Sequence, residues 1–307
     1  MNEGEAPRIK DFAPVFLMMV LFLLIYFLSL SLVHPFQDAG MKAFEDPDDP
    51  FNILIILMVL LVTTLIILII AKYWRRWLIK AIILFAVGYT SFYILLPILG
   101  VILSGYVIVF LSLLIAFTIT YVLWRYPEWY IIDLCGVIIS TGSIVIFGIS
   151  LGVLPVIILL LCLSVYDAVS VYKTKHMITL ADTVMDLKLP VLFVIPKKKG
   201  YSLLAERKGL KEQLDKGEER DAFFMGVGDV VIPGVLVVSS YINLHDGLYI
   251  ALGVIIGVII GFLLLMMYVT RGKPQAGLPY LCGGGIAGYI VSNILLYGTI
   301  NGLTWLL

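Results

Sequence analysis

The sequence predicts an all-α membrane protein of about nine transmembrane helices. Three observations predict it: an apolar composition, a series of long apolar runs, and basic residues gathered on one side of the alternation those runs create. Of 307 residues, 61% are hydrophobic and 14% charged, with a mean hydropathy of +1.06. A soluble domain is roughly half apolar and a quarter charged, so most of this chain belongs in lipid. The formal net charge is zero, from 21 basic and 21 acidic residues, and leaves no basic footprint for nucleic acid, which is excluded as a partner. Cys135, Cys162 and Cys282 each sit within an apolar run without CxxC spacing. They offer neither a disulfide framework nor a zinc site, and no metal or cofactor is expected.

A span needs about 20 mostly apolar residues to cross about 30 Å of hydrocarbon. Runs of that kind cover residues 14–33, 51–71, 77–98, 100–123, 129–149, 152–172, 222–243, 247–269 and 278–305. The first is too long for a signal-peptide core and lacks a small-residue cleavage site, so it reads as a span. Only Pro97 and Gly100 separate the third run from the fourth, and only Ser150 and Gly152 the fifth from the sixth, which leaves eight spans as the alternative count.

Basic residues orient the chain. Lys42 is the one basic residue between the first two runs. Arg8, Lys10, Lys72, Arg75, Arg76, Lys80, Arg125, Arg271, Lys273 and the loop over 173–221 all fall on the other side. The amino terminus and that loop are therefore expected in the cytoplasm and the carboxyl terminus outside, in the plasma membrane. The loop divides the chain into a six-helix part, 1–172, and a three-helix part, 222–307. Within it, Leu187 to Ile195 carries the strand formers Val191 and Phe193 between Pro190 and Pro196. The segment reads either as a short strand with an edge for an extended peptide or as an apolar stretch resting on the membrane.

An ionisable side chain deep in a span costs about 2.5–3.5 kcal/mol even on lenient scales, so it marks function by default. Lys80 and Asp133 lie close to span ends and reach the interface. Asp167 and Asp229 lie further in, on consecutive and oppositely directed spans. They are about six residues before the end of the sixth and about seven after the start of the seventh, a common depth of about 9–11 Å. Two carboxylates brought together in a medium of low dielectric share one proton. The ionised member can then take a proton from water while the other donates to a peptide carbonyl oxygen. Two separate polar residues bonded to neighbouring helices is the bland alternative.

The residues around Asp229 favour the dyad. In Gly226-Val227-Gly228-Asp229, Gly226 and Gly228 weaken the helix and let a substrate backbone approach. Pro233, four residues on, deprives the Asp229 carbonyl of its helical donor. Irregular backbone in a membrane is tolerated where it lines a cavity, which hydrolysis of a helical substrate requires.

These residues resemble the presenilin and signal peptide peptidase family. Its two aspartates occupy a Tyr-Asp pair in the sixth span, here Tyr166-Asp167, and a GxGD motif in the seventh, here Gly226 to Asp229. The family's Pro-Ala-Leu motif opening the ninth span corresponds to Pro279-Tyr280-Leu281, with tyrosine in place of alanine, and Ala276-Gly277-Leu278 is a competing register. The resemblance covers nearly the whole chain. It implies a presenilin-like fold and an intramembrane aspartyl protease of the GxGD type, with Asp167 and Asp229 catalytic and Tyr166, Gly226, Gly228, Pro279, Tyr280 and Leu281 in support. It also implies that the loop strand and the ninth-span motif clamp an unwound substrate. The compact chain is similar to prokaryotic (archaeal-type) homologues. The expected partners are the bilayer and the transmembrane helix of a single-span substrate, with a homo-oligomer left open.

No HExxH or buried serine and histidine pair supports another protease chemistry. The rival from a different class is a proton-coupled transporter or cation leak using the buried aspartates. No inverted repeat favours it. Gly253, Gly257 and Gly261 form a small-residue face suited to packing within the chain or to dimerisation.

Overall fold

In lipid every backbone N–H and C=O must be satisfied inside the protein, so apolar runs of this length become helices. The computed structural model describes residues 9–73, 76–171, 191–197, 200–203, 222–269 and 275–302. Most of the 173–221 loop, including residues 187–190, lies outside the described residues, as do Arg8, Arg75, Arg271 and Lys273.

The described residues form nine apolar helices: α1 (Ile9–Asp38), α2 (Phe51–Tyr73), α3 (Arg76–Gly100), α4 (Tyr106–Arg125), α5 (Trp129–Ser150), α6 (Val153–Val169), α7 (Val227–Asn243), α8 (Gly247–Val269) and α9 (Leu278–Tyr297). Six are long and apolar enough to cross a membrane, and shorter apolar helices cover Phe51–Ile66, Val153–Val169 and Val227–Asn243. Both weak boundaries are true breaks. After Pro97 and Gly100 the chain turns and reaches α4 only through Gly105 at φ 70°, which moves the start of the fourth helix from 100 to 106. Between α5 and α6, Leu151 and Gly152 are both extended.

The α5–α6 break is held from outside by the acidic α1–α2 connection. Gly152 donates to the Pro47 carbonyl at 2.8 Å, and the Ala43 amide donates to the Ser150 hydroxyl at 2.6 Å. A Cβ on Gly152 would collide with the Asp48 carboxylate.

The seventh run divides. Residues Ala222–Gly226 form a strand, β2, which pairs antiparallel with β1 (Leu192–Pro196) in the register Leu192↔Gly226 to Pro196↔Ala222. The Val227 amide extends the ladder to the Val191 carbonyl at 3.0 Å. Helix α7 therefore begins at Val227, five residues later than hydropathy suggests. It is the central helix, touching α1, α5, α6, α8 and α9. Val235, Leu236, Val237 and Val238 are consecutive and all buried, so the helix is enclosed on every side. The outer helices instead show apolar side chains to lipid, as with Phe110, Leu114, Phe117 and Tyr121 of α4.

Helix association in lipid depends on close packing, because the tails are as apolar as leucine. Helices α8 and α9 meet backbone to backbone. A Cβ on Gly257 would strike the Gly284 carbonyl, one on Gly288 the Gly253 carbonyl, and one on Gly261 the Tyr280 carbonyl. The small-residue face is thus filled within the chain, and it fixes the position of the start of α9. Gly257→Ala is expected to destabilise the protein by about 1–3 kcal/mol through overpacking. Thermal unfolding in detergent checks this. Gly283→Ala is the silent control, since nothing lies within 4 Å of its added carbon.

Candidate active site

The two aspartates face each other from helix ends. Asp167 is the third residue from the end of α6, and Asp229 is the third residue of α7. Their matched placement survives, but the reason differs from the expected depth, because the residues preceding Asp229 are mostly strand and not helix.

Asp167 is 4% exposed, and its Oδ2 accepts the Leu278 amide at 3.1 Å, with the Gly277 amide alongside. Asp229 is half-buried and lies against the same turn. A Cβ on Gly277 would sit 3.2 Å from Asp229 Oδ2, and one on Gly226 3.3 Å from it. The two carboxyl groups are within electrostatic reach of one another. Gly277 is therefore the common floor of the site, with its amide beside one carboxylate and the space a side chain would take closed by the other. Three elements meet there: the end of α6, the β2–α7 junction and the start of α9.

Each element is pinned by a further contact. Ser164, one turn before Asp167, directs its hydroxyl to the Leu278 carbonyl at 3.5 Å, which ties α6 to α9. Tyr26 of α1 is fully buried, and its hydroxyl donates to the Val230 carbonyl at 3.1 Å, one residue beyond Asp229. Its ring fills the notch left by Gly234, where a Cβ would lie 2.8 Å from the tyrosine Cε1. A buried tyrosine hydroxyl requires a partner, and this one finds it at the proline-loosened turn that also holds Pro233.

The expected supporting residues distribute unevenly. Gly226 caps α7 in an extended conformation beside Asp229, and Gly228 is exposed next to it. Pro279 occupies the first turn of α9. Tyr280 packs against Tyr268 of α8 with ring centroids 5.7 Å apart and the planes tilted at 37°, and Leu281 is fully buried in the core. It is Gly277 and Leu278, the competing register, that meet the aspartates. Tyr166 is 53% exposed and points out of the bundle, because it precedes Asp167 and a helix turns neighbouring side chains about 100° apart.

Asp133 does not reach into the interface as expected from its position near a span end. Its Oδ1 accepts the Val194 amide of β1 at 2.8 Å. Glu128, at the cap of α5, accepts the Ser202 hydroxyl at 2.6 Å and the Leu203 amide at 3.1 Å. In an antiparallel ladder, alternate residues direct their amides away from the partner strand. On the outer edge of β1, Val194 is bound to Asp133 and Pro196 has no amide hydrogen. The edge directed away from β1 on the other strand, at Ala222 and Phe224, runs straight towards Gly226.

The sequence profile of the family described as signal-peptide peptidase, presenilin aspartyl protease matches residues 19–298. Two solved structures, both described as a presenilin family intramembrane aspartate protease, resemble the chain over nearly its whole length. The one in space group C222 is 34% identical with a TM-score of 0.68, covering 93% of this chain and 99% of its own. The one in space group P2 is 36% identical with a TM-score of 0.67, covering 91% and 96%. No curated protein matches.

Proposed function

Because this chain belongs to the signal-peptide peptidase and presenilin aspartyl protease family, and is an intramembrane aspartyl protease cleaving membrane-protein helices within the bilayer, we propose that Asp167 and Asp229 are its catalytic pair. The observation that carries this assignment is the shared turn at Gly277 and Leu278, which gathers both carboxyl groups against one stretch of backbone. Membership of the family leaves the transporter or leak reading without support.

The pair works by sharing one proton. The ionised carboxylate takes a proton from water as the water oxygen attacks the scissile carbonyl carbon, and the protonated partner donates to the carbonyl oxygen. Collapse of the tetrahedral diol breaks the C–N bond and delivers a proton to the leaving nitrogen. A substrate helix must unwind first. The outer edge of β2 suits an unwound strand, since it leads directly to Asp229, whereas the outward Val194 amide at the middle of β1 is already held by Asp133. The proposed pairing edge thus lies on β2, beside the segment Leu187 to Ile195 in which the sequence places an edge for an extended peptide. The basic residues support a cytoplasmic amino terminus, and hence single-span substrates with a cytoplasmic carboxyl terminus.

Cleavage of a model single-span substrate by purified protein in detergent, with mass spectrometry of the products and Asp229→Asn as control, tests the assignment. Products that arise within the span and persist in the variant would overturn it. Only the singly protonated pair is active, so kcat is expected to fall on both sides of a pH optimum. A pH profile of turnover checks this, and a single sigmoidal limb would contradict the shared proton.

A further inference from the structure

We infer that Asp133 is a positioning residue for the Asp229 half of the dyad, acting through the β1–β2 ladder; the inference rests on the catalytic assignment above. The connection is short and continuous. Asp133 Oδ1 holds the Val194 amide at 2.8 Å, on the side of β1 that faces away from β2. Val194 stands opposite Phe224 in the register, and β2 passes into α7 at Gly226, whose backbone lies against the Asp229 carboxyl.

A second contact locks the same strand to the same helix. Phe193 is fully buried, and its ring lies where a Cβ on Gly136, one turn beyond Asp133, would come within 2.7 Å. One contact fixes the backbone of β1 and the other a side chain, so both the height and the rotation of the strand on α5 are set. A two-stranded ribbon is marginal by itself and gains its position from what it packs on. Without the Asp133 acceptor, the Val194 amide is left in a partly buried site with no partner, and the ribbon can slide or tilt relative to α5. Any such shift carries Gly226 with it. A misplacement of about 1 Å is enough to cost about 10²-fold in rate.

Three variants separate positioning from plain structural support. Asp133→Asn retains an acceptor oxygen and is expected to cleave within about threefold of the parent chain. Asp133→Leu removes the acceptor at similar size. It is expected to lower kcat by about 10–100-fold, with KM changed less and with products spread over neighbouring bonds. Val194→Pro removes the donor from the other side without touching the β1–β2 ladder. It is expected to reproduce Asp133→Leu, and the double variant should be no worse than either single one. Measured with the full chain and a single-span substrate, wild-type cleavage that is lost in Asp229→Asn secures the catalytic assignment independently. Against that background, unchanged kcat and product masses in Asp133→Leu would overturn the inference. So would additive losses in the double variant, or equal losses in Asp133→Asn and Asp133→Leu.

Discussion

Asparagine in place of either aspartate is expected to lower turnover on the order of 10⁴-fold, the upper range for a positioned acid or base, with folding retained. Asparagine keeps the size of the side chain and an acceptor oxygen. In Asp167→Asn the Leu278 amide, now at 3.1 Å from Oδ2, still finds a partner. What is lost is the ability to pass a proton. Since the two groups work as one unit, the double variant should be no less active than either single one. Neutralising a buried acid also relieves a costly burial, so the unfolding temperature should hold or rise. Single-turnover cleavage assays and thermal unfolding in detergent measure the two quantities separately. Substantial activity in either single variant would dissolve the pair.

The second large effect is expected at a residue with no chemistry of its own. Gly277→Val places branched carbons where even a Cβ would sit 3.2 Å from Asp229 Oδ2. The backbone there is at φ −77°, which valine can adopt, so the substitution acts through space and not through backbone strain. Asp229 must move away from Asp167, and turnover is expected to fall about 10²-fold. The Gly277 and Leu278 amides remain available, so Asp167 should keep its place. Turnover measured beside Gly283→Ala, an open position of the same helix, checks that the loss belongs to the site.

Much of this arrangement is legible in the sequence because lipid penalises charge so heavily. Asp167 and Asp229 stand out for that reason alone, and Gly226, Gly228 and Pro233 mark the loosened turn beside one of them. Hydropathy does not distinguish a short buried strand from the first turn of a buried helix. Ala222-Phe223-Phe224-Met225 therefore joins the seventh span on paper and the β-ribbon in the fold. The start of α9 offered two registers, and choosing between them depends on which residues meet the aspartates, a tertiary fact.

Tyr166 stands next to an aspartate in the sequence but points away from the site. The tyrosine that touches the site region is Tyr26, over two hundred residues from its partner Val230. Its only sequence signal is a hydroxyl in mid-span. Asp133, from its place near a span end, reads as a residue that reaches water. Its acceptor role depends on β1 lying against α5, a tertiary contact with no local signal.

The enclosure of α7 also bears on how the protein is made. Gly148 of α5 faces Val238, and Ile144 and Tyr26 converge on Gly234, so the six helices emerging first from the ribosome are shaped around a segment not yet synthesised. Such a half-protein exposes a slot walled by Gly148, Ile144 and Tyr26 until α7 arrives from beyond the long polar loop. Biogenesis must therefore hold the early helices apart or let them part again, and Asp167 and Asp229 meet only at that late insertion. With Asp167 and Asp229 as the proposed catalytic pair, a nascent chain is expected to be proteolytically silent until its last third has entered the membrane.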